Sequence, residues 1–215
     1  MPRKPARRPG RPAAAAAPDL RERLLDAAIA CFCREGIAGT SVRAIAREAG
    51  VTPALLHYYF GDKAQLQQAV VTDRILPAVA LLREHLLANG DDIAGMVAGF
   101  VSGVGAAVAR HPWLPALWVR EVLCEGGALR EVVLQHVGPQ VPALMAARFA
   151  QAQRSGEINP DLDPRLLVVS LVGLTFFPLA SAPIWRRLFG ADDLDFAALR
   201  THTLALLDRG LELPA

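Results

Sequence analysis

The chain has 215 residues, 53% apolar and 20% charged, with 23 Lys+Arg against 21 Asp+Glu for a net charge of +2. This excludes a disordered chain and allows one large domain or two modest ones. The charge is uneven: residues 1–66 carry 11 bases and 6 acids while residues 67–215 carry 12 bases and 15 acids, so only the front of the chain is expected to meet a polyanion.

Residues 1–18 are rich in Pro, Arg and Ala, hold five bases and no acid, and are expected to form a disordered basic arm. Asp19 is a plausible N-cap for a first helix whose apolar face is Leu20, Leu24, Ala27, Ala28, Cys31 and Phe32, ended by Gly36 as a left-handed C-cap. Thr40 or Ser41 caps a short second helix with an inner face of Val42, Ile45, Ala46 and Ala49. Gly50 breaks it, and a third helix opens with Thr52 as N-cap and Pro53 at the first position, where a missing N–H costs nothing. Asp62 caps the next helix, with Gln65 at the capping-box position.

Beyond residue 66 helical spacing continues over about 63–88, 92–110, 113–124, 128–154, 163–180 and 193–210. Pro77, Pro115, Pro139 and Pro142 are expected to kink or split some of these segments. No alternating strand pattern appears, and the fold class is all-α. Leu166 to Trp185 is uncharged and long enough to span a bilayer. Pro178, Pro183, Ser170, Gly173, Thr175 and Ser181 interrupt it, which favours a buried helix at a subunit interface over a membrane span.

The spacing Ala46-x3-Gly50-Val51-x4-Leu56 suits a helix-turn-helix: a small residue where two helices cross, a glycine at the turn, and two apolar plugs beneath it. The second helix of such a pair enters the major groove and would present Thr52, Ala54, Leu55, His57, Tyr58 and Tyr59. The alternative is a generic helical hairpin with a solvated polar face. The whole run from Thr40 to Lys63 resembles the DNA-binding signature of the TetR family of transcriptional repressors. Ala27-Ala28-x3-Phe32-x3-Gly36 before it and Leu66-x3-Val70 after it extend the likeness over roughly 20–70.

The resemblance implies a homodimer on a palindromic double-stranded DNA operator, a head at 19–66 with three DNA-binding helices, and a helical domain at 67–215 that binds a small effector and dimerises. In the usual mechanism of the family, effector binding tilts the fourth helix and releases the operator. Carried over by position, Thr40 or Ser41, Arg43, Tyr59 and Lys63 contact phosphates, and Thr52, Ala54, Leu55 and Tyr58 read bases. His57 stands where the family usually has Tyr, and leaves open what is touched there. Arg47 is either a DNA contact or a partner of Glu48 or Glu22.

An apolar or aromatic effector is expected among Met96, Phe100, Trp113, Leu117, Trp118, Met145, Phe149 and Phe176. Arg120 could meet an anionic group on it, or else pair with Glu121 or another acid. For the dimer face, Val168, Leu171, Val172, Leu199, Thr203 and Leu206 have suitable spacing on the last two helices. Three cysteines, an odd number, argue against a disulfide framework and for a reducing compartment, so a cytoplasmic location is expected. The apolar run Ala13–Ala17 falls short of a signal-peptide core. No Cys/His cluster with metal spacing, nucleotide-binding glycine loop or nucleophile–base constellation is apparent, so neither metal, cofactor nor enzymatic activity is expected. An effector-independent or activating DNA-binding protein is the remaining alternative, because the sign of regulation depends on operator position.

Overall fold

A computed structural model describes residues 20–88 and 92–211, and every regular element among them is helical. The expected arm and the Asp19 cap lie outside the described residues.

Four helices build the first layer: α1 (Leu20–Gly39), α2 (Val42–Glu48), α3 (Pro53–Phe60) and α4 (Lys63–Val70). Leu24, Leu25 and Phe32 of α1, Ile45 of α2, Leu56 and Phe60 of α3, and Leu66 and Val70 of α4 are buried in one cluster. At roughly 1.5–3 kcal/mol for each fully buried large side chain, this cluster holds three short helices that would not persist alone. Gly36 does not adopt the expected left-handed cap. Its φ of 79° and ψ of 158° lie in an extended region open essentially to glycine alone, and they turn the last few residues of α1 off the helix axis. The two capping alternatives are resolved in favour of Ser41, whose hydroxyl oxygen accepts the Ala44 N–H at 3.1 Å. Asp62 caps α4 by accepting the Gln65 N–H at 2.8 Å.

α4 runs without a break into a π-helical turn, Val71–Ile75, and on into α5 (Leu76–Ala88). Pro77 has no N–H to give the carbonyl four residues earlier, that of Asp73, and the Arg74 guanidinium approaches that oxygen at 3.4 Å instead. α5 packs along α6 (Ile93–Arg110), closely enough that a methyl at Gly103 would stand 2.8 Å from Leu82 Cδ1. α7 (Leu114–Trp118) and α8 (Arg130–Val132) each end in a further π turn, Val119–Leu123 and Val133–Val137. α9 (Pro142–Arg154), α10 (Pro164–Ala180), α11 (Ala182–Phe189) and α12 (Phe196–Leu211) complete the chain, around a second core that includes Phe100, Val101, Met145, Phe149 and Leu171.

Two expectations need correction. The segment 128–154 is not one helix, because a turn at 138–141 separates the π turn from α9, which starts at Pro142. The uncharged stretch Leu166–Trp185 is not one straight span either: α10 and α11 meet at 71°, with the Trp185 indole N–H donating to the Pro178 carbonyl at 2.8 Å across the bend. α6 is long and apolar enough to cross a membrane, but half of it is buried within the protein.

Candidate nucleic-acid interface and apolar cavity

α2 and α3 meet through the turn that Gly50 makes at a φ of 67°, where the Val51 N–H reaches the Ala46 carbonyl at 2.9 Å. Leu56 and Phe60 point inward, so the opposite face of α3 is open. Thr52, Ala54, His57, Tyr58 and Tyr59 are exposed on it and Leu55 is half-buried. Tyr58 is 82% exposed and stacks edge-on against Tyr59, with ring centroids 5.5 Å apart. Thr52 is the N-cap of α3, but its hydroxyl makes no capping bond and is left for an external partner. The His57 ring shares a hydrogen bond with the Gly61 carbonyl through Nδ1, which fixes the imidazole and leaves Nε2 as its outward nitrogen.

Beside α3 in the chain stand Ser41 and Arg43 on α2 and its cap, both exposed, and Lys63, half-buried at the start of α4. The Lys63 ammonium donates to the Ala38 carbonyl at 3.2 Å, which steadies it and leaves two N–H donors for an anion. Thr40 does not belong to this surface. It is buried, and both its N–H and its hydroxyl go to the Gly36 carbonyl, at 3.1 and 2.6 Å, so it braces the α1–α2 turn. Of the acids considered for Arg47, Glu48 is held by Arg34 at 2.9 Å and Glu22 by Arg74 at 2.8 Å.

Behind the head lies a cavity of about 110 Å³ whose lining side chains are all apolar. Ile75, Ala78 and Leu82 form one wall, Phe100, Val104 and Ala107 of α6 another, and Leu117, Trp118, Val122 and Leu129 a third. Val172 and Phe176 of α10 close it, the Trp118 and Phe176 rings 5.4 Å apart. All three π turns contribute to the walls, through Ile75, Val122, Val133 and Val137. Of the residues singled out for an effector pocket, Phe100, Leu117, Trp118 and Phe176 line this cavity. Met96, Met145 and Phe149 do not, because they are packed in the second core. Trp113 turns away toward the head, packs against its core and lies 5.4 Å from the His111 ring. Arg120 is exposed on the far side of its π turn, over Gly36, so it offers no charge to the cavity.

Residues 24–70 match the family model described as bacterial regulatory proteins, tetR family, and residues 96–208 match tetracyclin repressor-like, C-terminal domain. The chain is 30% identical over 163 residues to the HTH-type transcriptional regulator UidR of Escherichia coli K12, covering 74% of this chain and 80% of that protein. The chain belongs to the TetR family of transcriptional regulators. It is also 42% identical over 152 residues to the HTH-type transcriptional regulator BetI of Rhizobium meliloti, covering 71% of this chain and 59% of that protein. Among solved structures, the ketosteroid transcriptional regulator KstR2 of Mycobacterium tuberculosis shares the fold with a TM-score of 0.72 at 20% identity, covering 92% of this chain and 97% of that one. The regulator FadR of Bacillus subtilis, solved with stearoyl-CoA, does so with a TM-score of 0.66 at 19% identity, covering 89% and 99%.

Two polar ties that composition and spacing did not single out join the head of this TetR-family regulator to the body behind it. Arg21 pairs with Asp73, while Arg74 holds Glu22 at 2.8 Å and Asp26 at 3.0 Å, so the first tie sits on the π turn after α4. Glu121, on the π turn after α7, makes the second by accepting the Ile37 N–H at 2.8 Å. The regulator also differs from expectation along α10 and α12. Val168, Leu171 and Thr203 face the protomer's own core, Val172 and Leu199 are half-buried, and only Leu206 of the expected interface set is exposed. The outward apolar face is instead Leu166, Val169, Gly173 and Phe177 on α10, with Ile184 and Leu188 on α11.

Proposed function

We propose that this regulator is a homodimeric repressor whose α3 helices read a palindromic operator in the major groove, and that an apolar effector in the cavity releases it. Residues 19–66 serve as the DNA-binding unit and 67–215 as the effector-binding and dimerising unit. The observation that carries the reading is the unbroken run from α4 through the π turn to α5. It holds Lys63 beside the recognition surface at one end and Ile75, Ala78 and Leu82 in the cavity wall at the other. A body that spreads the wall displaces the same rod that positions Lys63 and, through Leu66 and Val70, the head's core.

Arg43, Ser41, Tyr59 and Lys63 hold phosphates and set the register, while Thr52, Ala54, Leu55, His57 and Tyr58 face base edges. Apart from the indole N–H of Trp118, the side chains that line the cavity carry no hydrogen-bond donor, acceptor or charge, so the effector presents a hydrocarbon or aromatic skeleton to it. A cavity of about 150 Å³ holds benzene, and this one is smaller, so a larger effector must push the walls apart. Of two proteins that share the fold, one was solved with stearoyl-CoA, which carries a long acyl chain on a charged carrier, and the other is a ketosteroid transcriptional regulator, in keeping with an apolar skeleton in the cavity. The dimer forms through the exposed α10–α11 face: Leu166, Val169, Gly173 and Phe177 follow one helical stripe.

The reading is tested with a panel of apolar compounds and the operator selected from a random DNA pool. A true effector alters the emission of Trp118, which lines the cavity, and weakens operator binding. By linkage, operator weakens effector binding by the same factor. A compound that fills the cavity and leaves operator affinity unchanged would remove the coupling.

A further inference from the structure

Glu121 is the one charged residue buried among the described residues, at 3% exposure. Both of its carboxylate oxygens are engaged by backbone. Oε1 accepts the Ile37 N–H at 2.8 Å, and Oε2 accepts the Ala128 N–H at 3.0 Å. The Glu121 carbonyl accepts a third, from Leu129, at 3.0 Å. Ile37 needs this partner because Gly36 breaks the helix just before it, and a buried N–H without an acceptor costs about 1–3 kcal/mol. Gly36 in turn leaves room for the carboxylate: a methyl there would stand 3.1 Å from Oε1. The residue after Glu121, Val122, and the residue bonded to its carbonyl, Leu129, both line the cavity.

We propose that Glu121 is the positioning residue that carries the state of the cavity to the C-terminal turn of α1, and through it to the DNA-reading head. A body that displaces Val122 and Leu129 shifts the carboxylate. The Ile37 N–H loses its acceptor, and the turn from Gly36 to Ser41, which braces the start of α2 and receives the Lys63 ammonium at Ala38, loosens. This route runs through the C-terminal turn of α1 and not along the α4–α5 rod, and it rests on the cavity being the effector site.

The test separates the two. Ala107 lies in the cavity wall on α6, a helix without appreciable contact to the head, so Ala107→Leu fills the cavity from a distance and stands in for an effector. Glu121→Gln keeps the size of the side chain but turns an amide N–H₂ toward one of the two backbone donors, so one tie is lost. Operator affinity is measured for the wild type, each single variant and the double variant. Ala107→Leu is expected to weaken binding about tenfold with Glu121 present and less than about threefold on the Glu121→Gln background. The Ile37 amide should exchange its hydrogen faster in Ala107→Leu than in the wild type. An equal loss on both backgrounds overturns the role of Glu121 and leaves the cavity reading intact. No loss with Glu121 present overturns both. Should Glu121→Gln fold poorly, exchange at Ile37 in Ala107→Leu decides alone, and unchanged protection there overturns the proposal.

Discussion

Phe177 sits on α10 with 70% of its surface exposed, in line with Leu166 and Val169. An aromatic side chain buries roughly 200 Å² when fully covered, so a partner covering the exposed part of Phe177 removes about 140 Å² from water. At about 25 cal/mol per Å² that is about 3.5 kcal/mol in each protomer, and two-fold symmetry doubles it to about 7 kcal/mol per dimer. Truncation to alanine retains part of the contact, which brings the expected loss to about 4–6 kcal/mol, or three to four decades in dissociation constant. Phe177→Ala should therefore convert a dimer to a monomer in sedimentation equilibrium at micromolar concentration, with unchanged helical circular dichroism. Leu171→Ala, in contrast, opens a cavity in the protomer's own core and should lower thermal stability by about 2–5 kcal/mol. A Phe177→Ala protein that sediments as the wild type, or a Leu171→Ala protein that dissociates without losing stability, would place the interface elsewhere.

Thr40→Val removes a buried hydroxyl donor to Gly36 and should cost about 1 kcal/mol in a thermal melt, without changing the salt dependence of DNA binding. Lys63→Ala should weaken binding about equally on all sequences and reduce the slope of log K against log salt by about 1, whereas an altered sequence preference would make Lys63 a reader. Burial, then Arg110 and Arg74, holds the His111 pKa below its ordinary 6.5. The unfolded chain then takes up the proton first, so the stability present above pH 6.5 is lost as pH falls through the folded value. His111→Gln should flatten that slope in denaturant titrations, and an unchanged slope would assign it to other groups.

The head was legible because its helices are amphipathic and punctuated. Ala46, Gly50, Leu56 and Asp62 each sit where only one register satisfies the turn, the cap and the core together. Thr40 and Ser41 were harder to separate, since either hydroxyl can cap α2 and only the Gly36 kink decides which is turned inward. α10 failed for the opposite reason. It is apolar on nearly every side, so helical spacing gives no phase and does not tell the stripe through Val168 and Leu171 from the one through Val169 and Phe177. The π turn Val119–Leu123 shifts the register by one residue, which sent Arg120 away from the cavity although spacing grouped it with Leu117, while Trp113, at the start of α7 ahead of that turn, packs on the head's core. Glu121 passed for a surface partner of Arg120; its burial depends on the backbone N–H of Ile37, 84 positions away, and periodicity carries no trace of that.

Selection of bound duplexes from a random pool, run in parallel with the wild type, Tyr58→Ala and Thr52→Ala, tests most directly whether α3 reads DNA. The expected result is an enriched pair of inverted half-sites for the wild type, with preference relaxed at particular base pairs in each variant, by about 1–3 kcal/mol per lost contact. No enrichment by the wild type, or an identical enriched site in all three proteins, would contradict the assignment of the open face of α3 to the major groove.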